Sequence, residues 1–152
     1  MSLDIQGIVD TITSHAAKTG LFDAVNGHEP KSAPGDGITA AVWVDSIDPI
    51  PEASGLAATA GRVTVNVRIY TSFLQEPEDL IDPNMVQAVD LLLGAYSGDF
   101  DLGAKIRNVD LLGQSGPALS AKAGYLNQDG KLFRVMTITL PLIINDVWVQ
   151  SP

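Results

Sequence analysis

Residues 62–73, RVTVNVRIYTSF, alternate apolar and polar side chains from end to end. In an extended chain Val63, Val65, Val67, Ile69 and Phe73 point one way. Arg62, Thr64, Asn66, Arg68, Tyr70 and Ser72 point the other. A period of two sustained this long specifies a strand with one face in a core. The second face, with two arginines and a tyrosine, is either wet or meets a partner. This strand decides the fold, because its valine face needs another layer to cover it.

Two helical patterns supply that layer. Between Ser2 and Gly20 the residues Ile5, Ile8, Val9, Ile12 and Ala16 recur at helical spacing, with Ser2 as a cap and Asp4 at the positive end. Gly20 is the expected stop. Downstream, Asp82 and Pro83 fit an N-cap and a first helical position. Val86, Val89, Leu93 and Tyr96 then form one stripe, with Met85 and Leu92 at its edge and an end near Gly98.

Further strands surround these elements. ITAAVWVDSI (38–47) is apolar on both parities over part of its length, as in a strand covered on both faces. KIRNVDLLG (105–113) and ALSAKAGYL (118–126) are shorter candidates. The turn NQDG (127–130) leads into a final strand from Leu132 to about Ile144. Proline- and glycine-rich segments at about 26–37 and 48–60 read as mobile loops. The expectation is a single α+β domain, a mostly antiparallel mixed sheet packed by two helices, in the order α-β-β-α-β-β-β.

Whole-chain quantities restrict function. The 152 residues suit one domain, and 45% hydrophobic against 18% charged residues suits a folded one. A net charge of −9 argues against a surface that neutralises phosphates. With no cysteine there are no disulfides, thiolate metal sites or cysteine nucleophiles. Neither a leader peptide nor a membrane span is expected, since no apolar run approaches ~20 residues.

Candidates for chemistry are few. His15 lies on a helical pattern and His28 in a proline- and glycine-rich loop, and neither has a nucleophile and an orienting group nearby in sequence. EPED (76–79) and GDFDLG (98–103) are acidic clusters. The second resembles the opening of a calcium loop, but Leu102, Gly103, Ala104 and Lys105 follow, without the bidentate glutamate such a loop needs. No glycine pattern cradles a phosphate. The expectation is a protein with no enzymatic activity, cofactor or metal. Enzymes and host binding modules are the other classes weighed.

The C-terminal stretch LPLIINDVWV (140–149) is apolar and contains a proline, which in a strand implies an edge or a bulge. An apolar edge must be covered. Either the segment folds back onto its own sheet or another copy covers it. The second reading makes Pro141, Ile143, Ile144 and Trp148 interface candidates, together with Arg68 and Tyr70 from the polar face of residues 62–73.

YTSFLQEPEDLIDPNMVQAVDLLLGAYSGDF (70–100) and AGYLNQDGKLFRVMTITLPLIINDVWV (123–149) resemble the tail terminator, or tail completion, proteins of long-tailed phages of actinobacterial hosts. The resemblance covers nearly the whole chain and is weakest at 26–37 and 48–60. It implies an α/β domain with a mixed sheet, assembled as a hexameric ring on the head-proximal end of the tail tube, in the virion neck, after assembly in the host cytoplasm. Such a ring ends tube growth and offers the surface to which the DNA-filled head docks. The implied partners are further copies of the chain, the major tail tube protein and a head-completion or connector protein. DNA would pass through the lumen without specific binding, and no membrane is involved. A head-completion or head–tail adaptor protein is the alternative. Acidic loops carrying Glu76, Glu78, Asp79, Asp99 and Asp101 would then line the lumen or a docking face, where carboxylates repel phosphates.

Overall fold

A computed structural model of the chain describes residues 3–28, 38–50, 58–72, 81–128 and 130–149. The elements are α1 (Ile5–Lys18), β1 (Ala24–Asn26), β2 (Ile38–Ile50), β3 (Ala58–Ser72), α2 (Ile81–Gly98), β4 (Asn108–Val109), β5 (Ser120–Gln128) and β6 (Lys131–Val149). The strands form one mixed sheet in the order β1-β2-β3-β6-β4, with β5 also on β6. Only β1 with β2 is parallel. The chain is therefore an α+β domain with a mostly antiparallel sheet and two helices, as the periodicities imply.

Both helices lie on one face of the sheet. Val63, Val65, Val67 and Ile69 of β3 pack there with Ile138, Leu140 and Leu142 of β6, against Ile8 and Ile12 of α1 and Met85 and Leu92 of α2. We call this the helix face and its reverse the open face. Asp4 caps α1, its carboxylate accepting from the Gly7 amide at 3.2 Å, so the cap is two residues later than Ser2. Gly20 follows α1 at φ +71°, a left-handed stop that glycine adopts without strain.

Four features differ from the sequence expectation. A short strand, β1, occupies residues 24–26, where side-chain alternation is too brief to read. Helix α2 begins at Ile81, which places Asp82 inside the first turn. Its buried stripe is Ile81, Met85, Ala88, Val89, Leu92 and Tyr96, and Val86 faces solvent at 53% exposure. Strands β2 and β3 extend to Ile50 and from Ala58, so 48–50 and 58–60 are strand, not loop. The segments 29–37 and 51–57, which hold most of both expected loops, lie outside the described residues.

The largest correction concerns β6. As far as Ile143 it is an interior strand, with β3 along one side and β5 and β4 sharing the other, and from Ile144 to Val149 it pairs, among the described residues, with β3 alone. Pro141 fits because of that sharing. Pairing with β5 ends at Thr139 and pairing with β4 begins at Leu142, so Pro141 falls in the gap between two neighbours. Its carbonyl accepts from the Asp110 amide at 2.9 Å on that side, where the missing N–H interrupts no ladder.

The core depends on β6 as much as on β3. Leu140 is fully buried in the helix-face cluster, so Leu140→Ala should destabilise the fold by about 2–5 kcal/mol. Urea unfolding should register this as a lower midpoint with an unchanged slope.

Candidate interaction surfaces

The interface candidates separate by burial. Ile144 packs in the helix-face core and Ile143 against Ile50 and Ala60 on the open face. Tyr70 joins Ala41, Phe133 and Val135 in a second open-face cluster, and Pro141 is buried too. These four serve the chain's own fold, as expected if the C-terminal segment folds back onto its sheet. Trp148 remains 40% exposed. Its ring lies over Gly61, where a Cβ would approach Trp148 to 3.2 Å. A glycine is needed for that close approach. Pro49 pairs with the same Gly61, and Ile47 is exposed two residues earlier, so one end of the sheet carries an apolar shelf.

Arg68 holds the middle of the open face. Its Nε donates to Thr137 Oγ1 at 2.9 Å, and its guanidinium lies 5.2 Å from the Trp43 ring centroid. Thr137 is in register with both Arg68 and Lys122, which places the three residues in one row across β3, β6 and β5. Around them runs a trough of about 530 Å3, lined also by Asn66, Thr139 and Leu126 and, among the described residues, by no carboxylate. Both helices pack on the other face, and among the described residues no helix covers this one.

One end of the open face is closed by an ion pair that period-two reading could not reveal. Arg62 looks like a solvent-facing residue in sequence, yet it is 4% exposed. The segment after β4 folds over it. Arg62 Nη1 donates to the Asp110 carboxylate and Nη2 to the Pro117 carbonyl. Asp110 also accepts from the Gln114 and Ser115 amides at 2.8 and 3.0 Å. Gly116, at φ +152°, passes so close that a Cβ would lie 2.9 Å from the guanidinium. Of the glycines in LLGQSG, Gly116 thus packs on a side chain, and Gly113, at φ +78°, packs on the backbone of Gly116 and Ala118. Burial pushes the Asp110 carboxyl up, but the Ser115 amide, Arg62 and the Gln114 amide outweigh it and hold the carboxyl below its ordinary range.

The second acidic cluster is also structural. Asp99 accepts from the Gly103 amide at 3.0 Å and lies 2.7 Å from His15 Nε2. His15 meets the Tyr96 ring edge-on, and the Tyr96 hydroxyl donates to the Ile12 carbonyl. The hydrogen bond to His15, aided by the Gly103 amide and Lys105, holds the Asp99 carboxyl below its ordinary range against partial burial. Asp99 thereby anchors a turn in which Leu102, Gly103 and Ala104 are all left-handed, at φ +47°, +68° and +67°. The Asp101 carbonyl closes this turn by accepting from Lys105 and Ile106. Glu76, Glu78 and Asp79 lie outside the described residues.

No model of a known protein family matches the chain, and no curated protein matches it.

Two predictions follow from the buried carboxylate and the left-handed turn. Asp110 and Asp99 have folded-state pKa values below their unfolded ones, so the stability they contribute is present above the ordinary carboxylate range near pH ~4. It is lost as pH falls through the folded values. Asp110→Asn should lower stability at pH 7 by about 3–5 kcal/mol and flatten this acid slope in thermal melts from pH 7 to pH 2. Ala104→Gly should raise stability by about 1 kcal/mol by relieving a left-handed alanine, seen as a higher urea midpoint.

Proposed function

We propose that the chain is a structural protein of a phage virion, which closes into a ring on the head-proximal end of the tail tube, ends tube growth and offers the head its docking surface. The observation that carries this reading is the open face. Helices cover one side of the sheet, while the row Arg68, Thr137 and Lys122 meets solvent on the other. A two-layer domain with a trough on the side that no described helix covers has a surface suited to a partner. Its two sides also differ in character, which favours heterologous association, the kind that makes a ring when the rotation closes.

Three further points support the reading. The mixed sheet backed by helices is the architecture that the resemblance to tail terminators implies. A net charge of −9 lets DNA traverse a lumen without being held by lysine and arginine. The shelf of Trp148, Pro49 and Ile47 sits at one end of the sheet, apart from the trough, and suits contact with a second component such as the tail tube protein. In the neck the ring would meet the tube on one side and a head-completion or connector protein on the other.

Light scattering of the purified protein over a wide concentration range tests the ring, with a discrete species of about six chains expected. A chain that stays single at every concentration and ignores tube ends would overturn the reading. Trp148→Ala tests the shelf. The variant should lose capture of tail-tube ends while its unfolding free energy falls by only about 1–2 kcal/mol, because the ring is already partly exposed. A fall of ~3–5 kcal/mol with capture intact would return Trp148 to the core.

A further inference from the structure

The helix layer and the open face of this domain complement one another in charge, in apolar character and in spacing. Helix α2, IDPNMVQAVDLLLGAYSG, contains no lysine or arginine. Its outer surface carries Asp82, Val86 and Asp90 at successive i+4 positions, all exposed. Asp82 and Asp90 are eight residues apart, about 12 Å along the helix. The trough presents Arg68 and Lys122 two strands apart, about 10 Å across the sheet. Between and beside these cations lie Thr137, Trp43 and Leu126, offering apolar surface for Val86.

We infer that α2 of one copy docks across the trough of the next, with Asp82 and Asp90 over Arg68 and Lys122. The helix crosses the strands because only that direction matches the cation row. Asp82 already accepts from Arg134 Nε at 3.0 Å through Oδ1, but its side chain is 66% exposed and can accept from a second cation. Each copy then supplies a helix to one neighbour and a trough to the other, which is a heterologous contact. The inference rests on the ring reading and specifies the surfaces that build it.

The absence of cysteine from the chain permits a clean test. The double variant Asp90→Cys with Lys122→Cys carries its thiols on opposite sides of the sheet, so a short bismaleimide can join them only between copies. A ladder of covalent multimers is expected, whereas Asp10→Cys with Lys122→Cys should give none. Lys122→Glu should weaken self-association by more than about tenfold, and adding Asp90→Lys should restore it. Asp90 and Lys122 are both exposed, so these variants keep the fold. If the unaltered protein forms multimers but the crosslinks fail and Lys122→Glu associates as before, this docking is wrong and the ring reading survives. A protein that never associates, alone or on tube ends, ends both.

Discussion

The pairing of β3 with β6 is the constraint on which the rest of the molecule depends. It runs in register from Ser72 opposite Phe133 to Gly61 opposite Ile144, and resumes beyond a bulge at Thr59 opposite Trp148. The other strands build outward from this pair, β2 on the outer side of β3 with β1 beyond it, and β5 and β4 on the outer side of β6. The alternation of both strands sorts the side chains, valines and leucines under the helices and Arg62, Thr64, Asn66 and Arg68 opposite. A slip of one residue would bring two arginines under the helices and expose four fully buried aliphatic side chains. That penalty fixes the register more firmly than any hairpin turn.

Much of this was legible because it is periodic. The alternation at 62–73 specified β3 and both of its faces, and the isoleucine stripe specified α1 and the side it buries. What escaped reading is non-local. The interior place of β6 follows from two short partners dividing one of its sides, and nothing in LPLIINDVWV encodes that division. Arg62 occupies a polar position by period, and its partner Asp110 lies 48 residues away. His15 and Asp99 are 84 residues apart. The offset in α2 has a local cause, since Met85 and Val86 are equally apolar neighbours and only the sheet decides which one it covers.

The charged groups divide into those spent inside the fold and those left for contact. Asp110 and Arg62 close one end of the open face, and Asp99 and His15 tie α1 to the end of α2. Arg134 is held between Asp82 and the Tyr125 ring. Arg68 and Lys122 stand in a trough that no carboxylate of the described residues lines, on a chain with twice as many acidic as basic side chains, 18 against 9. In such a chain a cationic trough selects acidic company, and the most abundant acidic surface near any copy in an assembly is another copy. This electrostatic asymmetry favours association between unlike faces over a symmetric pairing of like ones.

The central position of β6 has a consequence for biosynthesis. A ribosome releases β3 well before β6 exists, with β4 and β5 in between, so for that interval one backbone edge of the longest valine run in the chain has no hydrogen-bonding partner. Nascent β3 is then open to pairing with another chain emerging nearby. Closure must also bring together segments some 70 residues apart in sequence, the kind of connectivity that makes folding slow. Translation speed across residues 73–130 would therefore influence how much of the protein reaches its native sheet.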